Sequence, residues 1–381
     1  MSLSSRAEYR WLLALFVSVV GVPMAVAQEA SYPGFVMGNS SPLSALIGTP
    51  GRWATSSDTG WDLTWRLSSH AYGESNDRET LLLDGETHTV FARWRGRLSG
   101  RLSIGVEVPW VTHSGGFLDP LIDGWHDFFN LRESIRPDMP QGQLHYVYVV
   151  EDMDRLSFGE PTSALGDVGV QAGLRLVDGS GDGLGRWSWT LVLSVDVPTG
   201  RLSPLTGNEE FDYGLGLRTG SPARSTSRLR WWLDAGVVVP GDVAIDGLST
   251  VSTVPYLDVA FSWRVADSFE LLADVAGSGP LYRGKLRMLA DGPVQLGAGF
   301  LWKLSDRYSL RMGVLEDLRP DTAEDFSAEF ALVIARGCPS AAESGGRVRP
   351  RSPPGSWRPG PGRTAARVPA RRLARPRRAR P

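Results

Sequence analysis

The sequence predicts an all-β protein, an up-and-down antiparallel transmembrane β-barrel of about 12 to 14 strands with one short helix in a long loop. Three observations predict it. Apolar and polar residues alternate with period two in run after run, the pattern of strands with one apolar face. Trp and Tyr recur at the ends of those runs, at Trp61, Trp110, Trp187, Trp263, Trp302 and Tyr308, where an aromatic girdle would meet lipid headgroups. The chain also begins as an exported one, and after its first residues no apolar run is long enough to cross a bilayer as a helix.

Residues 1–27 read as a secretory signal peptide. Arg6 and Arg10 precede an apolar run from Trp11 to Val22, and Ala25-Val26-Ala27 supplies a small-x-small cleavage motif before Gln28. A Gln at the new N-terminus argues against a lipoprotein. Residues 28–59 are rich in Pro, Gly and Ser without a sustained period, so they read as an extended N-terminal segment in which Leu43 to Ile47 pack somewhere.

The barrel domain is expected over 60–336. Trp61, Leu63, Trp65, Leu67 and Ala71 face one way, and Asp62, Thr64, Arg66, Ser68 and His70 the other. Glu86 to Trp94 alternate less cleanly. A polar turn, Arg95 to Gly100, then leads into a strict alternation of Leu102, Ile104, Val106, Val108 and Trp110. Further runs lie around Tyr146, Val168 to Leu176, Trp187 to Val197, Phe211 to Leu217, Trp231 to Val237, and Leu257 to Trp263. The last four are Leu271 to Val275, Leu296 to Trp302, Leu310 to Val314, and Phe326 to Ile334. These make thirteen, of which the Tyr146 run is the weakest, and a bacterial barrel of this type has an even number. The second face of most runs carries Gly, Ser, Asp, Arg and Gln, which suits a polar lumen. Short links at Ala266-Asp267-Ser268 and Ser305-Asp306-Arg307 read as turns, and Pro198 to Glu210 and Gly277 to Pro293 as long loops.

Residues 28–336 carry a net charge of −14, whereas residues 337–381 carry +11 from twelve Arg and one acid, Glu343. That tail, rich in Arg and Pro, predicts disorder. An extension without function explains it better than a polybasic arm, because a barrel ends at its last strand and Phe330 to Ile334 supply one. The acidic body excludes nucleic-acid binding by the folded domain. Cys338, the sole cysteine, lies in the tail, so the exported domain has no disulfide, thiol nucleophile or thiolate metal site.

After Trp110 the period changes. Leu118, Leu121, Ile122, Trp125 and Phe129 recur at helical spacing, with Asp119-Pro120 as N-cap and first-turn proline. This loop holds the candidate functional residues His113, Asp119, Asp123, Trp125, His126 and Asp127. The three acids share a helical face, and His126 lies three on from Asp123. No standard ligand spacing appears, so capping and solvation account for them better than a metal or acid–base site. No cofactor is expected. A Ser114–His113 catalytic pair is excluded, because neighbours on a strand point to opposite faces.

Several short motifs resemble one family. They are Gly85-Glu86-Thr87, Val108-Pro109, His113 to Asp119, Trp125 to Phe129, Leu165-Gly166-Asp167, Val197 to Gly200, Gly279 to Tyr282, and Glu316-Asp317-Leu318. Over residues 35 to 335 the chain resembles the bacterial domain-of-unknown-function family 3187, exported barrel-like proteins of no established activity. It departs at Asn130, where the family pattern leads to Gly, and in its basic tail.

These readings point to a non-enzymatic outer-membrane barrel of a Gram-negative bacterium that passes or binds small apolar or amphiphilic compounds, with the loop helix as lid or plug. Its expected partners are outer-membrane lipid, the barrel-assembly machinery and a small hydrophobic solute. The alternatives are a lipid-modifying enzyme using His113 or His126 as base, a structural barrel with a solid lumen, and a periplasmic location.

Overall fold

The computed structural model describes residues 34–48, 59–118, 140–179, 187–221 and 227–335, together with Pro120 and Gly124. The signal peptide and the basic tail therefore lie outside the described residues.

Alternating sequence becomes strand almost everywhere the pattern is strict. The strands are β1 (Gly60–Ser75), β2 (Glu79–Arg97), β3 (Leu102–Ser114), β4 (His145–Val150), β5 (Met153–Phe158), β6 (Thr162–Leu165), β7 (Val168–Asp178) and β8 (Ser188–Val197). They continue as β9 (Asp212–Gly220), β10 (Leu229–Val239), β11 (Ser249–Thr250), β12 (Val254–Ala266), β13 (Phe269–Ser278), β14 (Tyr282–Arg283), β15 (Val294–Lys303), β16 (Tyr308–Asp317) and β17 (Phe326–Ala335). A 3-10 turn, Ser44–Leu46, and a short helix α1, Arg287–Ala290, complete the set.

Twelve of these strands close a ring in the order β1, β2, β3, β7, β8, β9, β10, β12, β13, β15, β16, β17, and β17 pairs back onto β1 from Gly60↔Ala335 to Ser69↔Phe326. Every pairing is antiparallel, so the barrel has no open edge around its girth. The thirteenth alternating run is β4. It pairs with Glu79–Asp84 of β2 beyond the point where β3 leaves that strand, and β5 pairs with it in turn. Together they form a hairpin above the barrel wall. β6 and β7 lie end to end along β3, with a one-residue change of register across Gly166-Asp167.

The two faces divide as the alternation requires. Trp61, Leu63, Trp65, Val108, Trp110, Leu215, Leu257, Phe261, Trp263, Leu271, Val275, Trp302 and Phe330 are exposed on the outer wall. A continuous apolar exterior of this kind is that of a barrel solvated by lipid. Among the described residues no helix is long and apolar enough to cross a membrane. Aromatic side chains gather near the end where the turns are short, where Trp187 packs edge-on against Trp231. At the other end the long loops build a crown. Its core joins Leu81 and Leu83 of β2, Tyr146 and Tyr148 of β4, Leu205, Val243, Ile245, Leu281, Leu286 and Leu289.

β2 alternates poorly because Glu86 and His88 stand on its outer face, paired across to Ser69 and Leu67. They are not left to lipid. The chain leaving β3 folds back over them, and Glu86 accepts the backbone N–H groups of Phe117 (2.8 Å) and Leu118. Leu118 is buried beside Leu67 and Phe326, also on the outer side.

A closed ring predicts heat-modifiable migration. Residues 28–336 purified in detergent should run faster on a gel unboiled than boiled, and deleting β17 should abolish the faster band. A chain that is soluble without detergent and shows no shift would contradict the barrel.

Candidate functional site

The lumen is occupied by the chain's own N-terminal segment. Residues 34–40 run extended inside the ring before the chain turns at Ser44–Leu46 into the crown, and an extended segment without a neighbouring strand leaves its backbone N–H groups in need of acceptors. Lumen side chains supply them. Phe35 N–H donates to Asp274 Oδ2 (2.9 Å), Val36 N–H to Glu329 Oε2 (3.0 Å) and Gly38 N–H to Gln295 Oε1 (3.3 Å). Ser40 N–H donates to Glu324 Oε2 (2.8 Å) and Gly48 N–H to Asp212 Oδ2 (2.9 Å). Arg66 returns one bond from the wall, to the Gly38 carbonyl at 3.3 Å.

Apolar anchors fix the register of this plug. Phe35 and Met37 are buried against Leu272, Leu301 and Leu315, which point inward from β13, β15 and β16. The Phe35 ring fits because the wall facing it is glycine. A methyl built on Gly297 would lie 3.0 Å from Phe35 and 3.3 Å from Met37 Sδ, and one on Gly313 would lie 2.3 Å from the ring. Leu43, Leu46 and Ile47 reach up into the crown core, which is where the Leu43 to Ile47 stretch packs. There the Tyr282 hydroxyl donates to the Leu43 carbonyl at 2.6 Å. Burial, seconded by the Asp212 charge, pushes that phenol far above its ordinary value, so it stays a neutral donor.

Charge in the lumen is arranged in two ways. Around β1, β2, β16 and β17 it is paired. Arg311 contacts Glu329 at 2.9 Å and Asp62 at 3.3 Å, Arg66 contacts Glu329 at 3.4 Å, and Arg93 bridges Asp62 and Glu107. Across the barrel, Arg218 pairs with Asp234, and Arg230 and Lys303 share Glu270. Around β7 to β9 the pattern breaks. Asp167, Asp196 and Asp212 approach one another, and among the described residues none of them has a basic side chain in a salt bridge. A cavity of about 140 Å³ opens between the plug and this wall, lined by Thr89, Phe91, Glu107, Val111, Asp167 and Asp196 among others.

His113, of the residues singled out from sequence, lies in the lumen under the crown and is fully buried. Its Nε2 is 3.0 Å from the Leu205 carbonyl, so Nε2 carries the proton and donates. Nδ1, 2.9 Å from Thr87 Oγ1, then accepts from that hydroxyl, which in turn accepts from His70 Nε2 at 2.9 Å. Both nitrogens are used in bracing loop to wall. Ser114 faces the outer side, opposite Glu86. Asp119, Asp123, Trp125, His126 and Asp127 lie outside the described residues. Of the loop helix, Pro120 and Gly124 are described, both helical and exposed. Leu118, just before it, packs on the exterior. No group of described His, Cys, Asp or Glu residues is arranged to hold a metal ion.

Sequence reasoning missed the plug and the acidic wall. A signal for the wall was present: Leu165-Gly166-Asp167 and Val197 to Gly200 meet there, where Gly200 N–H donates to Asp167 Oδ1 at 2.8 Å and Thr199 Oγ1 donates to the Gly166 carbonyl at 2.6 Å.

The chain belongs to the family described as "Protein of unknown function (DUF3187)", whose model matches residues 11–334. No curated protein matches it. Among solved structures it is similar to an outer membrane channel of the COG4313 group from Pseudomonas putida F1, at 11% identity and a TM-score of 0.48, covering 76% of this chain and 100% of that one. It is also similar to the NanC porin, at 8% identity and a TM-score of 0.40, covering 72% and 98%. The CymD monoaromatic hydrocarbon channel shows 11% identity and a TM-score of 0.36, covering 84% and 100%.

Two substitutions test this site. Phe35→Ala removes the plug's largest anchor and should cost about 3 kcal/mol or more of docking, seen as faster hydrogen exchange confined to residues 34–48. Arg311→Ala leaves Asp62 and Glu329 facing each other without that cation and should cost about 3–5 kcal/mol of barrel stability. Thermal loss of the heat-modifiable band should report it as a markedly lower midpoint.

Proposed function

We propose that the protein is a channel of the outer membrane, exported by its signal peptide, that passes small amphiphilic compounds and is closed by its own N-terminal segment. The observation that carries this reading is how the segment is held. Residues 34–48 add no strand to the ring, and their backbone is fastened to side chains of β9, β13, β15 and β17 through bonds that break singly. A filler that serves only stability is more simply built from wall side chains, as in small barrels whose interiors are packed solid. The cavity beside the plug, with an aromatic and aliphatic side and a carboxylate side, suits a solute of mixed character.

The gating part moves from the loop helix to the N-terminal segment. The Leu118 end of that loop is committed to the outer face. An enzyme with His113 as base is disfavoured, since both ring nitrogens are hydrogen-bonded within the fold and Ser114 faces away. The partners that follow are outer-membrane lipid around the apolar belt, the barrel-assembly machinery, and a small solute in the lumen.

Single-channel recording in planar bilayers tests the proposal. The intact protein should be closed or flicker, and a chain lacking residues 34–48 should show a sustained, larger conductance while keeping its heat-modifiable band. If removing the segment leaves the bilayer current unchanged, the structural-barrel reading takes its place.

A further inference from the structure

We infer that the lumen cavity between the plug and β2, β3 and β8 is a binding site for a small organic ammonium ion, with the Asp196 carboxylate as its principal contact. This names the solute class for the lumen and rests on the channel reading for transport, though not for binding.

The geometry begins at Asp196, on β8. It is half-buried, with its oxygens open to the cavity, and it makes no hydrogen bond and no salt bridge within the described protein. Backbone comes very close on two sides. A methyl on Gly48 of the plug would lie 1.9 Å from Asp196 Oδ2, and one on Gly169 of β7 would lie 2.9 Å from Oδ1 and 3.9 Å from Glu107 Oε1. Glycine at both positions keeps the carboxylate reachable from the cavity. A half-buried carboxylate crowded by Asp167, Asp212 and Glu107 gains from a cation that the protein itself does not bring to it.

The nearby cations are committed elsewhere. Arg66, on the cavity rim, is held by Glu329 at 3.4 Å and the Gly38 carbonyl at 3.3 Å. Arg93 is bound to Glu107 and Asp62. The neighbouring acids are bound differently. Asp167 accepts Gly200 N–H, and Asp212 accepts N–H groups of Gly48, Gly241 and Asn208. Asp196 therefore remains as the one carboxylate of the group with no donor among the described residues.

What would satisfy it is a compact donor carrying positive charge. Three carboxylates in one place invite a metal ion, but the described acids are not arranged to hold one, and an ammonium with three N–H donors tolerates wider spacing. The remainder of the cavity fixes the rest of the ligand. Phe91, Pro109, Val111 and Leu205 present apolar surface opposite the acids. A cavity of about 140 Å³ accepts an apolar body of no more than about six heavy atoms, since one of about 150 Å³ holds benzene. The site is therefore built for an ammonium head and a short hydrocarbon body.

Isothermal titration of the purified protein in detergent at neutral pH tests this, with n-butylammonium chloride and n-butanol as a charged and neutral pair of equal size. Butylammonium should bind saturably and butanol should not. Asp196→Asn should weaken binding about tenfold or more. Val111→Phe, which keeps every carboxylate and fills the cavity, should abolish it; if Asp196→Asn does not give a heat-modifiable barrel, this variant carries the test. Equal binding of butanol, undiminished binding by Asp196→Asn, absence of saturable amine binding, or uptake of calcium chloride in place of the amine would each overturn the inference. A barrel that binds the amine but carries no current after loss of residues 34–48 would refute the channel while leaving the site.

Discussion

The structure depends on one constraint: a stretch of extended backbone lies inside a closed barrel, where no strand edge is available to pair with it. Outside its own short turn, where Ala45 and Ile47 N–H donate to backbone carbonyls, its N–H groups find acceptors on side chains, and the strongest neutralisable acceptors are carboxylates. Asp274, Glu324, Glu329 and Asp212 serve in that role. Buried carboxylates in turn require cations, which explains why Arg311 and Arg66 converge on Glu329. The plug and the ion pairs are thus one system. Glu329 belongs to both, receiving Val36 N–H and two guanidinium groups at once. Remove the plug and Glu329 loses one donor; remove the arginines and the plug faces an unscreened acid.

That system varies along the segment. At the Phe35 end the contact is mainly apolar and close-packed, with the ring seated against glycines of β15 and β16. Burying a phenylalanine is worth about 1.5–3 kcal/mol, comparable with a charge-assisted hydrogen bond. At the Gly48 end Leu43, Leu46 and Ile47 are buried in the crown core, the Leu43 carbonyl accepts from Tyr282, and Gly48 N–H donates to Asp212. The segment is therefore anchored by apolar burial at both ends, with the carboxylate-bound backbone between them.

Much of the barrel was legible because strands in a lipid-facing wall must alternate, and alternation survives in sequence. Twelve of the thirteen runs are ring strands, and the weakest of them, around Tyr146, is the crown strand β4. Its inward residues Tyr146 and Tyr148 meet a packed core instead of a polar lumen, so its pattern differs in kind. The imperfect alternation of β2 had a specific cause as well. Glu86 and His88 sit on the outer face under Phe117 and Leu118, contacts that join residues about thirty positions apart. The plug was not legible beyond the packing of Leu43 to Ile47. The wall acceptors of its backbone N–H groups lie between 164 and 293 residues away, and an extended segment that pairs with side chains has no period to read. Of the site residues proposed from local spacing, His113 is the one the structure places, and its role is set by Thr87 and Leu205, neither of which its spacing could indicate.

The strong negative charge of the barrel region acquires a physical meaning from this arrangement. Had the excess acids all stood on exposed loops, they would bear only on solubility. Instead Asp167, Asp196 and Asp212 stand on one wall of the lumen, where the arginines of β1, β2 and β16 do not reach them in any described salt bridge. The wall is also where the ladder is least regular, at the register change across Gly166-Asp167, with Thr199 and Gly200 tied to the gap by side-chain bonds. An irregular wall needs acceptors for loop N–H groups, and aspartate supplies them at short reach. Asp167 and Asp212 are explained that way. Asp196 is not: it lies within the regular ladder of β7 and β8, opposite Gly169, and answers no backbone group. A half-buried carboxylate facing the cavity without a structural partner is the feature of this lumen that folding alone does not require.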